Sequence, residues 1–484
     1  MKGFIQSHSK YFFPAYVLLF LAPFYGMPPY YDDLHRFSSN TTNLANQGRL
    51  LTEWLYTSIQ FFEFNAFPDL YYFGLVFIAS ISIASYALAR KITGRDGEDY
   101  VMWFFLSIFS MPGIIQNISF HVDCIGMFMS LYLSVIAGMI VNKGKLSHIA
   151  TSTTLLCFAT LFYQFSFNYY IISSAAFLFI HISTGKVSGL KGACLHAAIK
   201  IPALIISIGL SLLVKSIFIR DKYFLDHSRF STIQELIDGR LSRNIGKFQY
   251  ILENTFSRME NLIISILFIV FMISLVICVI KLCKEKKLYV AVLVSILPLI
   301  ALAMVLLPGV LIFNPVIEQR TLAMSGLLLF CFIAPGIYVK KIYPVAFVLA
   351  SMVMAFNLMT VSAFTSAQRY AVDKTRVYMD RLYLTSPEEY FGKDGKLKIG
   401  ISMQERPTHT GTAKRNIEYF PSIKFMVMDY FWTPYQMAAF NRYFNTGVDV
   451  HMLGKSCSKE RKQVARKDGF TTYECDGILW AKFN

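Results

Sequence analysis

Apolar residues along this chain form long continuous runs, and polar residues are collected in short stretches between them. Each run covers about 17 to 22 residues, the length that an α-helix needs to cross the hydrocarbon core of a bilayer. Membrane β-strands would instead alternate apolar and polar residues over ~10 positions. The pattern predicts an all-α polytopic membrane protein with about 11 transmembrane helices, at residues 11–28, 69–89, 99–115, 124–141, 149–164, 168–183, 201–219, 261–280, 288–308, 321–338 and 342–361.

The composition supports a membrane protein. Of the 484 residues, 55% are hydrophobic and 16% are charged, with a mean hydropathy of +0.47, which is too apolar for a soluble protein. The net charge of +16 could indicate nucleic-acid binding. The basic residues flank the apolar runs, however, where they act as orientation signals. We therefore expect the membrane, and no nucleic acid, as a partner.

The segments between the runs differ in their content of basic residues, which orients the chain. Residues 116–123 and 164–167 contain no Lys or Arg. The segments that we assign to the cytoplasmic side carry the basic residues Lys2 and Lys10; Arg90, Lys91 and Arg95; Lys143 and Lys145; Lys186, Lys191 and Lys200; Lys281, Lys284, Lys286 and Lys287; and Lys340 and Lys341. We expect a cytoplasmic N-terminus, an uncleaved first span and an extracytoplasmic tail. Only a polar hinge at Gln164, Ser166 and Asn168 divides the apolar stretch 149–183. If this stretch crosses the membrane only once, the orientation of everything downstream is reversed.

The same pattern predicts two domains. Residues 1–361 form a transmembrane body with outer loops at 29–68 and 220–260, and residues 362–484 form a small extracytoplasmic α+β domain. In that domain Ser366 to Leu384 is predicted to be helical and GKDG to be a turn. The predicted strands are KLKIGIS, SIKFMVMDYF and DVHMLG. The chain shows no internal repeat, so transporter folds built from repeats have no support.

Acidic and basic side chains gather directly after the first apolar run. Asp32 and Asp33 lie four and three residues before Arg36, so they share a face with it on a helical turn. Acids in an exposed loop are often only solvated, or cap a helix. At a membrane exit, however, a carboxylate can accept a proton from a sugar hydroxyl. Asp32 and Asp33 are therefore candidate catalytic bases, and Arg36 is a candidate phosphate contact.

A second polar set follows on a predicted short helix. Its polar face carries Arg49, Glu53, Tyr56 and Gln60, and its apolar face carries Leu50, Leu51, Trp54, Leu55 and Ile59. This pattern is typical of a helix that lies flat at the lipid surface, with a tryptophan as its anchor. Arg49 and Glu53 are candidate substrate-binding residues.

Three further ionisable residues are predicted at the outer surface. His121 and Asp123 occupy one short turn, which is either a plain polar turn or part of the substrate site. Arg320, beside Glu318, is a candidate phosphate contact, and a snorkelling membrane anchor is the alternative. The loop 220–260 contains seven basic and six acidic residues, which suits an anionic glycolipid or a solvated amphipathic helix.

The cysteines and the absent motifs limit the chemistry. Six of the eight cysteines lie in or beside apolar runs, while Cys457 and Cys475 lie in the polar tail and are predicted to form a disulfide if the tail is extracytoplasmic. No metal site and no cofactor are predicted, and nothing supports a divalent metal. The chain has no GxGxxG, GxSxG or Walker loop. The cytoplasmic loops are too short to fold a nucleotide-sugar site, so an activated donor must come from the membrane.

The stretches YYDDLHR and GRLLTEWLY, the many-span body and the polar tail resemble the Gtr-type serotype-converting O-antigen glucosyltransferases of temperate phages of enteric bacteria. The resemblance implies a GT-C-like body in the bacterial inner membrane with a periplasmic tail. It implies an inverting transfer of glucose from undecaprenyl-phosphate-glucose to an O-antigen glycolipid acceptor. The family's first-loop acids fall on Asp32 and Asp33, and its basic residues on Arg36 and Arg49.

The same resemblance implies two functionally linked partners, a flippase and a bactoprenol glucosyltransferase. It does not indicate which carbon of which sugar is modified. An O-antigen polymerase is the enzymatic alternative, favoured by the basic loop 220–260. A glycolipid flippase is the non-enzyme alternative, but the predicted spans contain almost none of the charged residues expected along a transport path.

Overall fold

The structure is a computed structural model, and it describes residues 2–39, 44–59, 70–110, 112–140, 146–163, 166–218, 231–255, 258–311, 325–402, 409–424, 426–428, 434–454, 462–467, 470–475 and 478–483. The chain divides into two compact units. The first contains most of the helices up to Val361, and the second contains one early helix together with the chain from Ser362 onward.

Helices dominate the first unit. They are α1 (Lys2–Leu21), α3 (Leu50–Ile59), α4 (Leu70–Thr93), α5 (Glu98–Ile108), α6 (Gly113–Ser119), α7 (Cys124–Met139), α8 (Leu146–Phe162), α9 (Ser166–Ser183), α10 (Gly189–Phe218), α11 (Leu241–Thr255), α12 (Arg258–Lys284), α13 (Leu288–Leu311) and α14 (Gly326–Val339). The early helix of the second unit is α2 (Tyr31–Ser39). Helix α15 (Tyr343–Thr385) contributes its first part to the first unit and the rest to the second.

Each predicted span falls mainly on one helix except 99–115, which covers both α5 and α6, and not every one of these helices is long enough to cross a bilayer. Within the described residues, five helices are long and apolar enough to cross a membrane, and a sixth is obtained if the pair α5 and α6, bent by 64°, is one span. Four further helices are apolar but shorter, among them α7 and α8. A helical membrane protein is therefore confirmed, and the number eleven stays a prediction.

The core of the first unit is built around α7, which packs against α4, α8 and α9. Small residues permit this close packing, as is usual between membrane helices. A Cβ on Gly138 would lie 2.7 Å from the Cβ of Ser173 in α9. The long apolar stretch 149–183 is broken into α8 and α9 at its predicted polar hinge, since one helix ends at Phe162 and the next begins at Ser166. The break is confirmed, and the number of crossings stays a prediction.

The second unit contains a five-stranded mixed sheet. Its strands are β1 (Leu397–Ser402), β2 (Val448–Gly454), β3 (Lys462–Lys467), β4 (Phe470–Cys475) and β5 (Ile478–Phe483), in the order β2-β1-β5-β4-β3. Strand β1 is parallel to both of its neighbours, whereas β5, β4 and β3 are antiparallel. The unit also holds α16 (Gly411–Tyr419) and α17 (Pro434–Phe444). A small α+β region at the C-terminus is thereby confirmed.

The predictions for the tail are right for its helix and for two of its three strands. Ser366 to Leu384 lies inside α15, KLKIGIS contains β1, DVHMLG lies within β2, and GKDG is a turn in which Gly395 has φ 71°. The strand predicted at SIKFMVMDYF is wrong in its described part, where Pro421–Ile423 is a 3-10 turn. The backbone there bonds to side chains instead of a neighbouring strand: Tyr30 Oη donates to Met426 O, and Met428 N donates to Gln368 Oε1.

Candidate functional site

The predicted catalytic acids lie on α2, in the second unit, and they differ in their exposure to solvent. Asp32 is exposed, whereas Asp33 and Arg36 are buried. One carboxylate oxygen of Asp33 accepts the N–H of Tyr30 at 3.1 Å, which satisfies one of the backbone donors at the start of the helix. The predicted helical turn is therefore present, and Asp33 has a structural contact that Asp32 lacks.

Helix α2 is held by the tail of the chain. The hydroxyl of Tyr30 donates to the carbonyl of Met426 over 2.9 Å, and α2 packs against α17. The rings of Phe37 and Tyr443 contribute to this packing, with their centroids 5.8 Å apart. A segment near the N-terminus of the chain thus takes its position from residues near the C-terminus.

Helix α2 also carries a histidine whose pKa is lowered by its surroundings. Burial lowers the pKa of His35, the positive charges of Arg36 and Arg442 lower it further, and the negative charge of Asp32 opposes this shift. Asp32, which lies one turn before Arg36 on the same helix, is exposed.

In the first unit the structure joins two residues that the sequence had placed in separate loops. Arg49 Nη1 lies 2.6 Å from Asp123 Oδ2, and the side chains are 15% and 1% exposed. The guanidinium carbon of Arg49 also lies 4.9 Å from the ring centre of Tyr163. The ion pair and the cation–π contact together fix both the position and the plane of the guanidinium.

Asp123 is available to Arg49 because of how α7 begins. Asp123 occupies the N-cap position of α7, where an aspartate side chain commonly accepts a backbone N–H of the first turn. Here the side chain makes no such bond. Its carboxylate is therefore directed at the arginine.

His121 lies in the same short turn as Asp123 and is packed against aromatic side chains. Its ring stacks on Tyr71 with centroids 3.6 Å apart and planes at 8°, and its carbonyl oxygen accepts the hydroxyl of Tyr56 at 3.2 Å. Burial lowers the pKa of His121 to about 3, so the imidazole is neutral. Among the residues that the structure describes, no three His, Cys, Asp or Glu side chains are grouped as metal ligands.

Glu53 holds the segment that leads to Arg49. Its Oε2 accepts the backbone N–H groups of Leu44 at 2.6 Å and Ala45 at 3.2 Å. Helix α3 is itself fixed to α8, because Thr52 Oγ1 donates to Phe162 O at 2.9 Å. It also approaches α7 so closely that a Cβ on Gly126 would lie 2.3 Å from Thr52 Oγ1.

The predicted short helix is confirmed as α3, but the orientation of its polar face is corrected. Tyr56 and Thr52 are almost fully buried, so this face packs into the protein and does not face water. The packing is favourable because Tyr56 and Thr52 both find backbone carbonyl acceptors there. Trp54 is 61% exposed, as expected of a side chain that faces lipid.

The aromatic members of this site were not predicted. Tyr71 and Tyr163 lie at the ends of apolar runs, where tyrosines are common in any membrane protein, so their positions carry no specific signal. Arg320 and Cys457 lie outside the described residues. Cys475, at the end of β4, is disulfide-bonded, whereas the described cysteines Cys124, Cys157, Cys194, Cys278, Cys283 and Cys331 form no disulfide.

The sequence model of a family described as Glucosyl transferase GtrII matches residues 21–332, a range that includes every predicted site residue except the two cysteines. The chain is also 25% identical over 217 residues to a protein of Salmonella phage P22 described as "Uncharacterized 55.3 kDa protein in gtrB 5'region". That alignment covers 44% of this chain and 43% of the phage protein, less than half of its length. No solved structure matches the chain. Since the family match covers well over half of its residues, the chain belongs to the GtrII glucosyltransferase family.

Proposed function

We propose that this glucosyltransferase transfers glucose from undecaprenyl-phosphate-glucose to the repeat units of O-antigen, at the periplasmic face of the bacterial inner membrane. The added glucose changes the surface polysaccharide and hence the serotype of the host. The observation that carries the proposal is the arginine of the first unit, which is held by Asp123 and Tyr163 at the ends of the apolar helices α7 and α8. Such a group suits a phosphate that is presented by a membrane lipid.

Arg49 is proposed to hold the phosphate of the donor. A guanidinium carries five N–H donors in a rigid fork, and contact with Asp123 through Nη1 leaves other donors for phosphate oxygens. Asp123 is then a positioning residue that fixes the direction of the fork. Arg36 and Arg320 are proposed as further phosphate contacts; for Arg320 this rests on the sequence alone.

The reaction is proposed to be a single displacement. The oxygen of an acceptor hydroxyl forms a bond to the anomeric carbon, the bond from that carbon to the phosphate oxygen breaks, and the electron pair departs with the polyprenyl phosphate. The hydroxyl proton goes to a carboxylate. The configuration at the anomeric carbon inverts, and no covalent enzyme intermediate is needed. The protein supplies alignment, a base and charge stabilisation.

Asp32 is the aspartate that we propose as the base. A general base must reach the proton that it removes, and Asp32 is exposed, whereas Asp33 is buried and accepts the N–H of Tyr30. Asp33 is then a positioning residue for α2. Glu53 is proposed to position Arg49 through the preceding segment, and the neutral His121 is proposed to shape the substrate site from its stack on Tyr71.

The test is expression in a host with smooth lipopolysaccharide that lacks its own O-antigen glucosylation. Mass spectrometry of the released O-units should show the added mass of one hexose, and the distribution of chain lengths should not change. Arg49→Gln should lower the glucosylated fraction by roughly 100-fold, the scale of losing one preorganised charge contact. An altered chain-length ladder would identify a polymerase, and unchanged O-units with normal protein levels would contradict the transfer.

A further inference from the structure

A surface segment between two candidate spans carries unpartnered apolar side chains. This segment, residues 232–255, follows α10 and precedes α12, and both helices are long and apolar enough to cross a membrane. Aliphatic side chains recur in it at intervals of four residues, and each is between 41% and 79% exposed: Ile233, Ile237, Leu241 and Ile245. Ile233 and Ile237 precede a kink at Asp238 and Gly239, and Leu241 and Ile245 follow it on α11. Four exposed aliphatic residues so close in sequence are unusual on a surface that contacts only water.

The contacts of the segment place it at one end of the helix pair α12 and α13. Asn244 Nδ2 donates to the carbonyl of Val310, in the last turn of α13, at 3.1 Å. Thr255, the last residue of α11, lies only three residues before Arg258, the first residue of α12. Because α12 and α13 are consecutive helices that pack together, the start of one and the end of the other lie at the same end of the pair. The segment therefore lies where two spans meet the membrane surface.

The segment consists of a short helical turn at Ile233–Glu235, a kink at Asp238 and Gly239, and helix α11. It begins with a reciprocal cap, in which Thr232 Oγ1 accepts the N–H of Glu235 at 3.3 Å and Glu235 Oε2 accepts the N–H of Thr232 at 2.8 Å. Further on, Phe248 and Ile251 are buried with Asn244 on the side that packs on α13. The exposed aliphatic stripe is not covered by any element that the structure describes.

Basic residues accompany the stripe. Arg240, Arg243 and Lys247 recur every three or four residues, and no acidic residue lies between Gly239 and Leu252. Lysine and arginine at this spacing share one side of a helix, from which their long side chains reach lipid phosphates at the level of the headgroups. Exposed aliphatic side chains and cationic side chains on one segment are the pattern of a helix that lies in the membrane interface.

We propose that the segment 232–255 is an interfacial anchor that binds an anionic lipid leaflet. Its aliphatic stripe inserts among the headgroups and upper acyl chains, and its basic residues bind the phosphate groups. The bound chemistry is an anionic phospholipid surface, and neither a second copy of the chain nor a soluble partner is required. This inference does not depend on the transferred sugar.

The test uses the full-length protein in lipid nanodiscs. A fluorescent amino acid is incorporated at Ile237 or at Ile245, and at the exposed polar residue Glu253 of α11 as a matched control. Phosphatidylglycerol brominated on its acyl chains should quench the two stripe positions roughly threefold more than the control. Iodide in the water should quench in the opposite order.

Two results would overturn the insertion. Iodide quenching at both stripe positions equal to that at Glu253 would show that the stripe faces water. Shielding from both quenchers would show that protein covers it, either a second copy or another partner. The thermal midpoint and transferase activity of each labelled protein are measured alongside, and two independent stripe positions guard against a misfolded variant.

The preference for anionic lipid is tested by comparing two brominated lipids. Brominated phosphatidylcholine should quench the stripe less than brominated phosphatidylglycerol. The triple substitution Arg240→Gln, Arg243→Gln and Lys247→Gln should abolish that difference, because it removes the charges that bind the headgroup phosphates. Quenching that is the same in both lipids for the unsubstituted protein would contradict the anionic component.

Discussion

At the scale of single residues, Asp32 and Asp33 show how adjacent acids acquire different tasks. Asp32→Asn keeps the shape of the side chain but removes the proton acceptor, so we expect O-unit glucosylation to fall by roughly 10² to 10⁴ fold. The measurement is the glucosylated fraction of O-units over time, normalised to the amount of protein in the membrane. Full transfer by Asp32→Asn at normal expression would return this carboxylate to a solvated role.

Asp33 provides the matched control on the same helix. Asp33→Asn retains a side-chain oxygen that can accept the N–H of Tyr30, whereas Asp33→Ala leaves that buried donor without its acceptor. We expect Asp33→Ala to lower stability by about 1 to 3 kcal/mol and Asp33→Asn to lower it less. Thermal unfolding in detergent measures the difference. Equal effects of the two substitutions would show that the contact with Tyr30 is not what Asp33 supplies.

The pair of Arg49 and Asp123 predicts a stability effect that depends on burial. Removing one partner of a buried ion pair leaves an uncompensated charge, so Asp123→Ala should destabilise the protein by roughly 3 kcal/mol. The pair of Arg90 and Glu98 is the control, since its atoms are also 2.6 Å apart but both side chains are partly exposed. Glu98→Ala should cost at most about 1 kcal/mol. Equal costs would contradict the buried character of the Arg49 pair.

His121 predicts a pH dependence of stability. Its pKa is about 3 in the folded protein, against an ordinary 6.5, because burial disfavours the imidazolium. The unfolded chain therefore binds a proton that the folded chain refuses between these values. The stability from the neutral ring is complete above pH 6.5 and is lost as the pH falls towards 3. His121→Gln should make the thermal midpoint depend less on pH between 3 and 6.5. An unchanged dependence of the midpoint on pH would show that His121 is not its source.

At the scale of elements, regular periodicity was predictable and tertiary contacts were not. Long apolar runs placed the helices, and the polar hinge placed the break between α8 and α9, because both follow from local sequence. The amphipathic pattern of α3 predicted a helix that lies flat at the lipid surface. Tyr56, on its predicted polar face, is instead buried, and a local pattern does not reveal the contacts of α3 with α7 and α8.

The strand predicted at SIKFMVMDYF failed for the same reason. Its apolar residues do enter the core, since Met426 and Met428 are buried. Their backbone groups are satisfied by Tyr30 and Gln368, residues far away in the sequence, and hydrophobic pattern alone could not distinguish this from a strand. The pairing of Arg49 with Asp123 was likewise hidden, although each residue had been named as a candidate.

The close approach of α3 to α7 gives a prediction at this scale. In Gly126→Ala the new methyl group would overlap Thr52, so α3 must shift, which should cost about 1 to 3 kcal/mol and disturb Arg49. Adding Thr52→Ala removes the overlapping atoms and should recover part of the activity. Gly209→Ala in α10 is the control, because a Cβ there meets nothing within 4 Å. Absence of any recovery in the double variant would show that overlap is not the cause.

At the scale of the whole molecule, the grouping of α2 with the tail is a property that no local pattern contains. The acidic stretch was predicted as a loop of the membrane body, and contacts place it in the compact unit formed with the chain from Ser362 onward. Because α2 and the tail belong to one compact unit, we expect both to lie on the same side of the membrane. Alkaline phosphatase fused at Asn40 and at Gly411 should be active at both sites, and a fusion at Lys341 should be inactive. A fusion that is inactive at either Asn40 or Gly411 would contradict the topology.

The same placement predicts the chemistry of the tail. A disulfide persists only in an oxidising compartment, and Cys475 is disulfide-bonded, with Cys457 as its predicted partner. Closing a loop of this length should stabilise the tail by about 3 kcal/mol in the chain-entropy estimate. Cys457→Ser and Cys475→Ser should therefore lower the thermal midpoint singly and together by the same amount, since either one breaks the bridge. Cys194→Ser and Cys283→Ser, at exposed free thiols, should leave it unchanged. Peptide mapping of membranes without reductant should find one bridge, and two free thiols in the tail would contradict both the pairing and a location outside the cytoplasm.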